Sequence, residues 1–149
     1  MHNRAWFLCQ RDRFDEADRL FEQAIQQPQY RDVQRSLMAQ GVCMARAGKL
    51  PEAERKLVRA YELDPANPTT ALNLSEVLYR RGDYERARFY IRRVNAREEL
   101  ANAQTLWLAL RIENRMGNRS GIEEYARQLR SRFPQSPEAQ AYDRGRIDD

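Results

Sequence analysis

Few side chains in this 149-residue chain could do chemistry. There is one histidine, His2, and there are two cysteines, Cys9 and Cys43. No Cys-x-x-Cys, histidine pair or glycine-rich phosphate loop occurs, so no metal site or activated nucleophile can be assembled from a local motif. Carboxylates stand side by side at Glu98-Glu99 and Glu123-Glu124, but adjacent residues point in different directions on a helix, and such pairs read as solvated. The sequence therefore reads as a non-enzyme with no cofactor and no metal. Charge is the other candidate. Arg80 to Arg97 encloses Arg81, Arg86, Arg88, Arg92 and Arg93, offset only by Asp83 and Glu85. Such a stretch could hold phosphate. It also matches the solvated face of an amphipathic helix, and the lack of a glycine-rich loop or a paired basic helix favours that reading, with no nucleic acid as partner.

The elements that must position these residues follow from composition and period. The chain is 42% hydrophobic and 32% charged, with 26 basic residues against 22 acidic ones. That is too apolar for a disordered tail and too polar for a membrane protein. Six glycines and six prolines are sparse punctuation, which favours long helices over a many-turned sandwich. One all-α domain, residues 1–149, is expected from the length.

Aligning Phe14-Asp15-Glu16-Ala17, Leu50-Pro51-Glu52-Ala53 and Tyr84-Glu85-Arg86-Ala87 gives spacings of 36 and 34 residues. The flanking positions then fall into columns: Phe21, Leu57 and Ile91; Ala24, Ala60 and Val94; the small residues Ala5, Gly41 and Ser75; and Leu8, Met44 and Leu78. Small residues let a partner backbone approach, and the larger apolar ones fill the seam. Each unit is thus a helix pair. Gly48 and Gly82 mark the turn within a unit, and Asp64-Pro65-Ala66-Asn67-Pro68 ends one unit and opens the next with Asn67 as N-cap. A weaker fourth unit has its turn at Gly117 and closes at Phe133-Pro134, and Ser136-Pro137-Glu138 begins a short terminal helix.

This pattern resembles the tetratricopeptide repeat (TPR). The resemblance implies a right-handed superhelix, an α-α solenoid of about four helix pairs plus a short C-terminal capping helix. The repeats run about 1–31, 34–67, 68–101 and 102–135, with the cap at 136–145. The groove lined by the first helix of each unit is the expected protein-binding site. Helical phase assigns to it His2, Trp6 and Gln10; Arg35, Met38, Val42 and Arg46; Leu72, Glu76, Tyr79 and Arg80; and Trp107, Arg111 and Arg115. Mixed aromatic, aliphatic and arginine positions suit an extended peptide with apolar anchors and some acidic character. Met38, Val42 and Leu72 could instead pack between helices. A clamp of lysines and asparagines for a terminal carboxylate is essentially absent, since the matching region offers His2, Trp6, Ala39 and Thr69, with Asn73 alone suggestive.

A more specific resemblance rests on Asn3-Arg4-Ala5-Trp6-Phe7-Leu8-Cys9, Gln40-Gly41-Val42-Cys43, Ala71-Leu72-Asn73-Leu74 and Leu106-Trp107-Leu108-Ala109-Leu110-Arg111-Ile112. It extends through Tyr125-Ala126-Arg127-Gln128-Leu129 to Phe133-Pro134-Gln135-Ser136. These residues are similar to the PilF/PilW family of type IV pilus biogenesis proteins. The resemblance implies a lipoprotein on the periplasmic face of the outer membrane, a pilotin that assists assembly or localisation of the pilus secretin and supports twitching motility. Its implied partner is the secretin or another pilus-assembly component. The family's signal peptide, lipidated cysteine and upstream repeats have no counterpart here, so membrane attachment would run only through an anchor outside this chain.

Met1 falls inside the first helix of a unit, which reads as a truncated start. The open edge near Trp6, Phe7 and Leu8 would then expose apolar surface unless it pairs with another copy as a homodimer. Cys9 and Cys43 fall in the first helices of adjacent units, where two fates are open: a disulfide or two buried small apolar residues. The periplasmic placement implied by the resemblance favours the disulfide. The competing functional reading is a generic peptide-binding adaptor unrelated to pili.

Overall fold

The computed structural model describes residues 2–26 and 33–147, excluding the side chain of His2. Nine helices and no strand occur among the described residues. They are α1 (His2–Gln10), α2 (Phe14–Gln26), α3 (Val33–Arg46), α4 (Leu50–Leu63), α5 (Pro68–Arg80), α6 (Tyr84–Asn95), α7 (Ala103–Arg115), α8 (Arg119–Arg132) and α9 (Pro137–Asp143). The chain is all-α, as its composition and period imply. The boundary expected near residue 31 lies outside the described residues.

Local chemistry sets the helix boundaries. Asn67 caps α5, its side chain accepting from the Thr69 N–H at 3.0 Å with Pro68 behind it. Asn102 and Thr105 cap α7 reciprocally, each side chain bonded to the other's backbone N–H. Asp83, Asn118 and Ser136 do the same service for α6, α8 and α9. The turns within successive helix pairs need a left-handed residue: Gly48, Gly82 and Gly117 supply it with φ of 81°, 82° and 70°. In the first pair Asp12 takes that conformation at φ 62°, which a short polar side chain tolerates.

The helices form two compact units, Met1–Arg81 and Gly82–Asp149. In the first, α1 packs on α2, α2 on α3, α3 on α4 and α4 on α5, while α1 also reaches α3 and α3 reaches α5. In the second, α7 packs against α6 and α8, and α9 covers both α7 and α8. The repeat columns are the core: Ala17, Ala53 and Ala87 are buried, as are Phe21, Leu57 and Ile91. Gly41 is buried for a steric reason, since a Cβ there would stand 2.6 Å from Leu57 Cγ and 3.2 Å from the Ala53 carbonyl oxygen. Smallness at this column is the condition for α3 to lie against α4.

A polar network joins α2, α3 and α4. The buried Gln40 amide donates from Nε2 to Asp18 Oδ1 and Glu22 Oε1, both at 2.8 Å, and Lys56 Nζ lies 2.8 Å from the same Glu22 oxygen. The Lys56 and Gln40 hydrogen bonds hold the Glu22 carboxyl below its ordinary value of 4.5. A depressed acid contributes stability above its unfolded pKa, and the contribution is lost as pH falls through the folded value. Acid unfolding followed by circular dichroism should therefore show Glu22→Gln losing less stability than the parent as pH drops below 4.5. Parallel curves for the two proteins would place this network outside the folding equilibrium.

Candidate functional site

In the first unit α3 and α5 lie side by side and enclose a cleft of about 170 Å³. Val42, Ala45 and Arg46 line it from α3, Asn73, Glu76, Val77 and Arg80 from α5, and Leu57 from α4. The arrangement follows from helical phase, because the residues one turn apart on α3 and α5 that do not face α4 share one side. Val42, Val77 and Leu57 supply an apolar floor. Charge surrounds it. Arg46 lies 3.6 Å from Asp12, both side chains well exposed, and Arg80 donates to the Ala45 carbonyl at 3.3 Å. Glu76 is exposed, and Asn73 donates to the Thr69 carbonyl at 2.9 Å.

Val42, Arg46, Glu76 and Arg80, assigned to the groove from sequence, are brought together in this cleft. Of the others in this unit, Gln10 and Arg35 are exposed, whereas Met38, Leu72 and Tyr79 are half-buried. Trp6 is half-buried against the cluster of Ala5, Leu8, Cys9, Ala17, Phe21, Ala39 and Cys43. The side chain of His2 lies outside the described residues. In the second unit Trp107 packs on the cluster around Leu106, Leu110 and Leu129, Arg115 is exposed, and Arg111 donates from Nε to the Ile147 carbonyl at 2.9 Å. Sequence reasoning left Asn73, Ala45 and Val77 out of the groove. Asn73 carries the signal, since it lies one turn after Thr69 and one turn before Glu76 on the face of α5 that Arg80 continues.

Cys9 and Cys43 are buried and meet between α1 and α3, with Cα atoms 5.7 Å apart, inside the range a disulfide spans. The edge residue Phe7 is 49% exposed, with the Arg11 guanidinium 4.4 Å above its ring. The arginines between Arg80 and Arg97 are mostly engaged within the protein: Arg81 with Glu54, Arg86 with Asp83, Arg88 with Glu113 and Arg97 with Glu99. Arg92 bonds the Tyr125 phenol, whose pKa burial pushes above 10.0, and Arg93 lies over the Phe89 ring. Engaged cations are a poor phosphate track. Among the described residues no group of three or more His, Cys, Asp or Glu is placed to hold a metal ion.

Two family models, both described as tetratricopeptide repeat, match residues 3–68 and 44–109, together covering most of the chain. The chain belongs to the tetratricopeptide repeat family. Within it, this TPR chain is 26% identical over 142 residues to the type IV pilus assembly protein PilF of Pseudomonas aeruginosa, covering 95% of this chain. The crystal structure of PilW, described as a widely conserved type IV pilus biogenesis factor, matches 95% of the chain at 30% identity with a TM-score of 0.88. A structure of P. aeruginosa PilF matches 97% at 25% identity with a TM-score of 0.77. The TPR chain spans 56% of the length of the PilF sequence and 64% of each of the two solved chains.

Proposed function

We propose that this TPR chain is a non-enzymatic scaffold of type IV pilus biogenesis, and that the α3–α5 face binds an extended segment of a pilus-assembly protein. The observation that carries the reading is the cleft itself: an apolar floor between two arginines, on the helices that are first in their repeats, in a chain similar to PilF and PilW. Apolar side chains anchor such a segment, and Arg46 and Arg80 select acidic residues beside the anchor. The partner proposed is the outer-membrane secretin, whose assembly or localisation the protein assists from the periplasmic side as a lipoprotein. In that oxidising compartment Cys9 and Cys43 are joined as a disulfide. No described helix is long and apolar enough to cross a membrane. The engaged arginines of α6 weigh against a nucleic-acid partner.

The test is the heat-resistant, high-mass secretin band in cells that lack the gene. The band should be lost on deletion and restored by the parent gene. The double variant Arg46→Glu/Arg80→Glu should fail to restore it while keeping its helical content, because both side chains are exposed. Each reversed charge facing an acidic segment should weaken binding on the order of tenfold. A band that persists in the deletion strain would sink the secretin reading and leave a peptide-binding adaptor acting elsewhere.

A further inference from the structure

The second unit holds a contact of a different kind. After α9 the chain reverses at Gly145, whose φ of 73° is left-handed. The reversal is closed by Gly145 N–H to the Tyr142 carbonyl and Arg146 N–H to the Ala141 carbonyl, both 2.9 Å, a pairing that satisfies the last carbonyls of α9. It sends the following residues back onto α7. There Arg111 Nε donates to the main-chain carbonyl of Ile147 at 2.9 Å, and the Ile147 side chain packs, half-buried, on the apolar cluster that Trp107 and Tyr142 also cover.

This is how a groove holds an extended peptide: an arginine reads a backbone carbonyl, which every sequence offers, and an apolar seat reads the side chain. The receiving residues, Trp107 and Arg111, are those that helical phase assigns to the groove face of α7. Little of the chain leading to the occupant is covered. Residues 143–146 are all exposed, and residues 146–147 have no regular secondary structure. A tethered segment of this kind is retained by its high local concentration rather than by strong contacts.

We infer that the Trp107–Arg111 face of α7 is a peptide-binding surface, that residues 145–147 are its resident pseudo-ligand, and that its exchangeable occupant is an extended partner segment with a branched aliphatic anchor. The inference does not rest on the α3–α5 cleft. Binding there requires displacement of Ile147, so the resident segment sets a threshold that a partner must exceed.

The probe is an acetylated, amidated hexapeptide, Arg-Gly-Arg-Ile-Asp-Asp, titrated into isotope-labelled protein while backbone amide shifts are recorded. A chain ending at Arg144 should show saturable shifts on α7 around Trp107 and Arg111, with an apparent affinity at least ~10-fold tighter than the full chain shows. The same peptide with Asp in place of Ile should cause none. If the shortened chain loses helical content, the full chain carrying Ile147→Asp releases the segment and leaves α9 in place, and it should show the same gain. Absence of saturable shifts in a folded, released variant, equal shifts in parent and variant, or indifference to the Ile replacement would each reduce the Ile147 contact to ordinary packing.

Discussion

Arg88→Met should lower the stability of the Gly82–Asp149 unit by about 3–5 kcal/mol, the usual consequence of leaving a buried charge without its partner. The Glu113 side chain is 2% exposed, and Arg88 meets it with two hydrogen bonds, Nε to Oε2 at 2.9 Å and Nη2 to Oε1 at 2.8 Å. Asn118 Nδ2 donates to Oε1 at 2.7 Å, which keeps one bond in the variant but supplies no charge. A Cβ at position 121 would stand 2.8 Å from that oxygen, so Gly121 keeps the carboxylate's space clear on the α8 side. The double variant Arg88→Met/Glu113→Leu should recover most of the loss, because a buried ion pair is replaced by apolar groups at little cost. The chain has two tryptophans, one in each unit, so Trp107 fluorescence in a Trp6→Phe background reports denaturant unfolding of this unit. A single-variant loss under ~1 kcal/mol would place the pair among solvent-screened bridges.

Phe21→Ala should cost the Met1–Arg81 unit a comparable amount, about 3–5 kcal/mol, through lost burial plus the cavity left behind. Phe21 is 0% exposed and sits in the cluster that includes Ala5, Leu8, Cys9, Ala17, Ala39 and Cys43. Three of its neighbours there are alanines, which cannot expand to fill the void, so the loss falls toward the upper end. Trp6 packs against the same cluster, and its fluorescence in a Trp107→Phe background follows the transition. Phe21→Leu should recover more than half of the loss, since most of the volume returns. An unchanged midpoint for Phe21→Ala would mean that α2 is held by its polar face instead.

These two sites differ in how they could be found. Phe21 belongs to a column with Leu57 and Ile91, and all three are buried because the repeat places the same phase of the second helix against its partner. The cap at Asn67, the start of the terminal helix at Ser136 and the turn glycines were equally legible, since their effects act within four residues. The pair Arg88 and Glu113 was not. In the sequence Arg88 is one more member of a basic run on a surface-seeking helix, and its partner stands 25 residues later in a stretch that reads as apolar. The Gln40 amide, tied to Asp18 and Glu22 across the α2–α3 interface, was hidden for the same reason.

The site divides in the same way. Helical phase alone assigned Val42, Arg46, Glu76 and Arg80 to one face, because phase is a local property set by 3.6 residues per turn. Which of the assigned residues share a cleft is not local. It depends on the distance and tilt between α3 and α5, which admit Asn73 and Val77 and leave Met38 and Leu72 half-buried elsewhere. The reach of Ile147 to Arg111 depends on the direction in which a single left-handed residue turns the chain. What the sequence by itself determined is the repeat, its helices, their caps and their buried stripes, all consequences of short-range sterics and period. Only the tertiary structure decided which charges pair in the core, which residues of the groove face meet, and what already lies on α7, because long-range contacts arise from how the helices pack and not from any residue's own preference.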